Sequence, residues 1–337
     1  ADLVENTATV TAKAGGVKVT ASDSVWFSPG EGRMVADRLW GADRYSGAVE
    51  ISKATFAPGV GVVYVATGVD YPDALAGSAA SGGEGPVLLV GRDAIGKAAL
   101  AELRRLKPRR IVVLGGLGVV SAEVEVALAS LTSGRVSRLG GADRYATAAA
   151  VSKAAFGPGA AVAYVATGED FPDALAGGPA AARLGGPILL TEKGELPAVT
   201  VSELRRLKPK RIVVVGGTGV VSAEVEVALA SLTSGRVSRL AGADRYATAA
   251  AVSKAVFGPG VAAVYVATGL NFPDALAGGA AGAFRDGPVL LVAGGSIPEA
   301  TKGELARLKP KKVIVVGGTA VVSKAVQDAL GAYLPKP

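Results

Sequence analysis

The chain has 337 residues, 36 Lys+Arg against 29 Asp+Glu, and neither His nor Cys. Those two absences exclude Ser/His/Asp triads, Cys nucleophiles, disulfide frameworks and His- or Cys-ligated metals. Half the residues are apolar but only 5% are aromatic, which suits small-residue helices packed on buried strands, and the net charge of +7 favours an acidic partner.

Residues 1–34 stand apart from the rest. Thr7 to Ala12 and Val17 to Ser22 alternate small or polar residues with β-branched ones around Ala14-Gly15-Gly16, which predicts a hairpin running into Val25-Trp26-Phe27. Two strands alone enclose little core. Thr7, Val10, Val17, Val19, Trp26 and Phe27 are therefore expected to pack on the following repeats or on another molecule.

The remainder is repetitive. Gly-Ala-Asp-Arg-Tyr begins at Gly41, Gly141 and Gly242, Tyr-Val-Ala-Thr-Gly at Tyr64, Tyr164 and Tyr265, and Pro-Asp-Ala-Leu-Ala-Gly at Pro72, Pro172 and Pro273. A unit of that length is a small domain rather than a solenoid element, so the expected division is 35–135, 136–236 and 237–337.

Within the middle copy, β-branched runs alternate with Ala-rich stretches of helical period. Strands are predicted at 135–139, 162–167, 187–191 and 211–215. Helices are predicted from near Asp143 to Phe156, from near Pro172-Asp173, from about Pro197 to Leu207, and from near Ser222. Four β-α steps per copy give a mostly parallel sheet whose strand-to-helix loops share one edge, the usual ligand edge of open α/β sheets.

The longest charge-free stretch, Ala255 to Pro273, is interrupted by Gly258-Pro259-Gly260, so no membrane span is expected. The chain opens at Ala1 rather than Met, as a secreted protein does after loss of its signal peptide. Asn, Gln and Met are scarce, a composition that leans toward a thermophile.

Several long motifs recur: Arg-Leu-x-Gly-Ala-Asp-Arg-Tyr-Ala-Thr-Ala with Val-Ser-Lys, Tyr-Val-Ala-Thr-Gly-x-x-Phe-Pro-Asp-Ala-Leu-Ala-Gly, Gly-Pro-(Val/Ile)-Leu-Leu, and Leu-Lys-Pro leading to Gly-Gly. Together they resemble the type 2 cell-wall-binding repeat of bacterial surface proteins, in three tandem copies over about nine tenths of the chain. The resemblance implies three Rossmann- or Toprim-like αβα domains about a pseudo-threefold axis. It also implies non-covalent attachment to an anionic cell-wall glycopolymer at the outside of the cell. Asp43, Asp73 and their repeats could pair as catalytic carboxylates, but each has a capping role available and triplication fits architecture better than chemistry, so neither catalysis nor a cofactor is expected. The first copy departs from the pattern, with Ser46-Gly47 where the others have Ala146-Thr147 and Ala247-Thr248. Family members commonly carry a separate effector domain, whereas here 34 further residues are present. The chain is thus either the anchor portion of something larger or a protein whose whole task is anchoring or assembly.

Arg44, Arg144 and Arg245, each beside a helix start, are candidates for gripping an anion, and the alternative is that each pairs with a carboxylate in its own or the next copy. Asp43, Asp143 and Asp244 are expected to cap those helices, and Asp73, Asp173 and Asp274 the following ones. Gly68, Gly168 and Gly269 would let backbone approach a ligand closely. The Gly115-Gly116, Gly216-Gly217 and Gly317-Gly318 loops lack the lysine and spacing of phosphate-binding fingerprints, so no nucleotide or nucleic acid is expected. A basic cluster at 104–110, 205–211 and 307–312 either forms a ring for a polyanion or complements helix dipoles at the opposite edge. Two functions lead, wall anchoring through three weak sites and self-assembly as a surface-layer or filament subunit through residues 1–34, with an enzyme a distant third.

Overall fold

The computed structural model describes the backbone of residues 4–14 and 17–27 and, in full, residues 35–70 and 72–335. Strands β1 (Val4–Ala14) and β2 (Val17–Phe27) pair antiparallel, from Val4 opposite Phe27 to Ala14 opposite Val17. The side chains of Thr7, Val10, Val17, Val19, Trp26 and Phe27 lie outside the described residues.

The first repeat supplies β3 (Asp37–Leu39), α1 (Arg44–Thr55), β4 (Val63–Thr67), α2 (Pro72–Ala80), β5 (Val87–Val90), α3 (Lys97–Leu106), β6 (Ile111–Leu114) and α4 (Ala122–Ala129). The second supplies β7 (Val136–Leu139), α5 (Arg144–Ala155), β8 (Ala163–Thr167), α6 (Pro172–Arg183), β9 (Ile188–Thr191), α7 (Ala198–Leu207), β10 (Ile212–Val215) and α8 (Ala223–Ala230). The third supplies β11 (Val237–Leu240), α9 (Arg245–Val256), β12 (Val264–Thr268), α10 (Pro273–Arg285), β13 (Val289–Val292), α11 (Glu299–Leu308), β14 (Val313–Val316) and α12 (Lys324–Leu330).

These strands form three parallel four-stranded sheets, β5-β4-β6-β7, β9-β8-β10-β11 and β13-β12-β14-β3. The strand opening each repeat therefore completes the sheet of its neighbour. Four β-α steps occur per copy, as the sequence suggests, but they are divided between two sheets. The local pattern of Val136–Leu139 announces a strand without specifying a partner, and its partly buried residues suit an edge. From β7 the chain crosses over, and α5 packs on β9 and α7 of the next sheet. Because β3 pairs with β14, the same exchange joins the last repeat to the first and closes a ring.

Inside the ring, α2, α6 and α10 pack against one another around the pseudo-threefold axis. Ser78, Gly178 and Gly279 occupy corresponding turns, and a Cβ at Gly178 would run into the Ser78 hydroxyl. Small residues are what allow the three helices this approach. The central strands β4, β8 and β12 are buried at every position, as strands covered on both faces must be.

A buried clasp recurs in each unit. Ser52 Oγ donates to Glu102 at 2.5 Å, and Arg105 donates to the same carboxylate at 2.7 Å and to the Phe56 carbonyl at 2.8 Å. Ser152, Glu203 and Arg206, and Ser253, Glu304 and Arg307, repeat it. The clasp ties the first helix of each copy to the third, and it takes one arginine out of each basic cluster.

Candidate functional site

Three loops converge wherever one repeat meets the next. Between the first and second repeats, Thr67, Asp70 and Asp73 meet the Gly116–Val119 turn and the Gly141–Arg144 segment of the following copy around a cavity of about 410 Å³. Between the second and third, Thr167, Asp170 and Asp173 meet Gly217–Val220 and Gly242–Arg245 around about 370 Å³. Both lie within the few-hundred-Å³ range of small-molecule sites. The strand exchange creates them, since β7 and β11 deliver Gly-Ala-Asp-Arg-Tyr to the preceding sheet.

Asp43, Asp143 and Asp244 stand at N-caps, accepting from the amides of Ser46, Ala146 and Ala247 at 2.7, 2.7 and 2.8 Å. In the first copy Ser46 returns the bond, accepting from the Asp43 amide at 3.1 Å. That arrangement is a capping box.

Asp73, Asp173 and Asp274 do not cap. Phe171 and Phe272 hold the cap positions, Pro172 and Pro273 follow, and Asp173 and Asp274 sit one residue further in. From there a carboxylate faces the joint. Thr147 bonds to Asp73, and Thr248 to Asp173, while each threonine oxygen accepts from a glycine amide, Gly141 or Gly242, at 3.1 Å. Burial raises the pKa of all three carboxyls, that of Asp173 to about 6, with Asp70 and Asp170 adding like-charge repulsion at the first two.

Each predicted arginine spans two copies. Arg144 Nη1 donates to Gly168 O at 2.5 Å, and its Nη2 lies 3.8 Å from Asp70 of the preceding copy. Arg245 does the same with Gly269 O at 2.6 Å and Asp170 at 3.7 Å, and its guanidinium lies 5.9 Å from the Phe171 ring centroid. Arg44 bonds to Gly68 O at 2.6 Å and stands over Phe272 at 5.6 Å. Gly68, Gly168 and Gly269 are buried, with Tyr45, Tyr145 and Tyr246 where a Cβ would go. The close approach these glycines permit is thus to the tyrosine rings, not to a bound molecule.

The joint that closes the ring differs. Gly47 replaces the threonine, Asn271 the exposed aspartate, and Trp40 stands where the other copies have Gly140 and Ala241. Asp274 lies beside Gly47 and under the influence of Arg44, so the same loops meet here. This site has fewer carboxylates and a half-exposed indole.

A second arginine reinforces each joint from the strand. Arg138 and Arg239 donate to Gly115 O and Gly216 O at 2.8 and 2.7 Å and pair with Glu125 and Glu226 at 2.8 and 2.7 Å. The sequence showed this arginine before every Leu-x-Gly-Ala-Asp-Arg-Tyr, and Glu102, Glu203 and Glu304 three residues before an arginine. Their burial is decided by neighbours remote in sequence.

The sequence profile described as Cell wall binding domain 2 (CWB2) matches three times, at residues 38–125, 138–226 and 239–327. The chain belongs to the CWB2 family. Its repeats are 30% identical over 294 residues to the N-acetylmuramoyl-L-alanine amidase LytC of Bacillus subtilis (strain 168), covering 87% of this chain and 57% of that protein. The Amidase enhancer of the same organism is 30% identical over 302 residues, covering 89% and 41%. The chain therefore spans about half the length of these curated relatives. Among solved structures, Cwp8 from Clostridium difficile superposes with a TM-score of 0.80 at 25% identity, over 98% of this chain and 59% of that one. Cwp6 from the same organism gives 0.80 at 24% identity, over 90% and 49%. The structural likenesses agree with three αβα units, and the family match with a cell-wall-binding surface protein. No described helix is long and apolar enough to cross a membrane.

Proposed function

We propose that this CWB2 triplet is a non-catalytic, extracellular attachment unit that holds an anionic wall glycopolymer at its three joints acting together. The observation that carries the reading is that each of the two internal pockets is composite, one side from each of two copies, so strand exchange between copies and formation of these sites are one event. Asp70 and Asp170 are about half exposed, and with Thr147, Thr248 and the glycine-loop backbone they offer acceptors and donors suited to sugar hydroxyls. Two such sites, with the altered closing joint as a third contact on one rigid body, give avidity of about 10²–10⁴ over any single one, provided the polymer reaches more than one joint. The relatives named as an amidase and an amidase enhancer are longer than the matched region, which supports assigning the repeats to attachment rather than to chemistry. The test is retention on isolated walls. Asp70→Ala with Asp170→Ala should lower it at least tenfold with the fold intact, whereas unchanged retention would remove the joints from the function.

A second reading, self-assembly, is favoured by the arm. The β1-β2 pair is a sheet of its own, joined to none of the three ring sheets, and strand addition to a two-stranded sheet is a common way for one chain to engage another. Deleting residues 1–24 should abolish assembly seen by light scattering, and filaments formed equally by the truncated chain would dismiss this reading.

A further inference from the structure

The two ends of the sheets carry opposite charge. Connections leading into the strands hold Lys107, Arg109 and Arg110 before β6, Lys208, Lys210 and Arg211 before β10, and Lys309, Lys311 and Lys312 before β14. Arg135 and Arg236 precede β7 and β11. Backbone bonds fix this placement: Val63 N donates to Arg110 O, and Ile111 N to Arg135 O, each at 3.1 Å. The acidic residues in these described connections are Glu84, 3.6 Å from Arg110, and Asp286, paired with Arg183.

At the opposite end, carboxylates outnumber arginines. Asp70, Asp73 and Asp143 surround Arg144, and Asp170, Asp173 and Asp244 surround Arg245. A phosphate entering a pocket would meet carboxylates and an arginine already bound to a carbonyl. Such a pocket suits hydroxyls better than anions.

The lysines after α3, α7 and α11 show a second peculiarity. Lys107, Lys208 and Lys309 are exposed and left-handed, with φ of 46°, 45° and 45°. Glycine satisfies this helix end without steric cost, yet all three copies keep lysine there. The helix dipole does not require it, because Arg104, Arg105, Arg205, Arg206 and Arg307 already lie in the last turns. Among the described residues none forms an ion pair with these three lysines. A charge held in a strained conformation, exposed and three times repeated, fits an external anion.

We propose that the strand-entry edge is a second, separate contact surface, which binds the phosphate or carboxylate groups of a wall polyanion through Lys107, Lys208, Lys309 and the cations beside them. It rests on the wall-binding reading above and assigns the polymer's charges to the edge away from the pockets. Multiple cations facing a flexible polyanion give a weak, additive, salt-screened interaction, which complements the hydroxyl recognition at the joints.

The test is calorimetric titration with purified polyglycerol phosphate, comparing the full chain with the triple variant Lys107→Gly, Lys208→Gly, Lys309→Gly. Glycine keeps the left-handed helix end, so the variant should melt no lower than the parent. A triple Asn variant, which also tolerates this conformation, repeats the measurement. At low salt the expected loss is roughly a hundredfold, about fivefold for each cation removed near an anionic surface. Raising the salt should erase the difference. Equal affinity of parent and both variants, or a parent that ignores polyglycerol phosphate, would overturn the proposal. Pelleting of the parent with intact walls is measured alongside: parent and variants that pellet with walls and bind the polyanion equally leave wall binding standing and refute the edge, whereas a parent that fails to pellet refutes wall binding while the titration still decides the edge.

Discussion

Arg38 and Gln327 lie 289 positions apart, and the 2.8 Å bond between them fastens the last repeat to the first. Arg38 also donates to Gly317 O at 2.6 Å and Val322 O at 2.8 Å, and Gln327 donates back to Ala36 O at 2.7 Å. The two internal joints use an ion pair at this position, Arg138 with Glu125 and Arg239 with Glu226. The closing joint replaces it by a neutral amide that makes two bonds across the seam.

If the ring is closed by this seam, Arg38→Ala should destabilise the whole chain. It leaves the carbonyls of Gly317, Val322 and Ser323 and the Gln327 amide oxygen without their donor, at a cost of about 2 kcal/mol. Thermal unfolding should shift down as a single transition, and early proteolysis should appear near β3 and α12. A melting temperature equal to the parent's would show that β3 pairing holds the seam without the side chain.

The clasp predicts a larger effect. Glu203→Ala leaves the buried Ser152 hydroxyl without its acceptor and takes the carboxylate from Arg206, which is 28% exposed and keeps its bond to Phe156 O, at a cost of about 3 kcal/mol. Equilibrium denaturation should show it, with Lys153→Ala on the exposed side of α5 as a near-neutral control.

At the axis the constraint is space. Gly178→Val puts two methyls against Ser78, and the overpacking should cost roughly 2 kcal/mol. Combining it with Ser78→Gly should recover part of the loss, a coupling that a double-mutant cycle measures.

The pH dependence follows from Asp173. Its folded pKa is about 6, above the unfolded value of about 3.9, so the folded state binds the extra proton. The associated stability is fully present below about pH 4 and is lost as pH rises through 6. Asp173→Asn should therefore flatten the stability profile between those limits and raise the melting temperature at pH 7. It should also weaken wall retention, because it alters the pocket. Thermal melts across pH 4 to 8 would expose the error if the parent were instead most stable at the upper end of this window through this site.

Much of the fold is legible locally. The Gly-Ala-Asp-Arg-Tyr period marks the copies, and Val-Tyr-Val-Ala-Thr and its partners announce buried strands through β-branched runs. What the sequence does not disclose is pairing: Val136–Leu139 reads the same whether it closes its own sheet or its neighbour's. The site suffers from the same blindness, since a pocket built from Thr67, Asp70 and Asp73 with Gly141–Arg144 and Thr147 exists only after the exchange. Asp173 reads as a cap because Pro-Asp commonly opens helices, yet with Pro172 at the first position its carboxylate turns to Thr248. Gly168 reads as a ligand glycine until Tyr145 is found over it.

Joints that hold wall polymer must retain the chain on walls that carry it. Sedimentation of the purified chain with intact walls, with walls stripped of their anionic polymers, and alone, tests it most directly. Pelleting is expected with intact walls only, with a bound fraction that falls as salt is raised. Equal pelleting with stripped walls, or pelleting with no walls present, would contradict it.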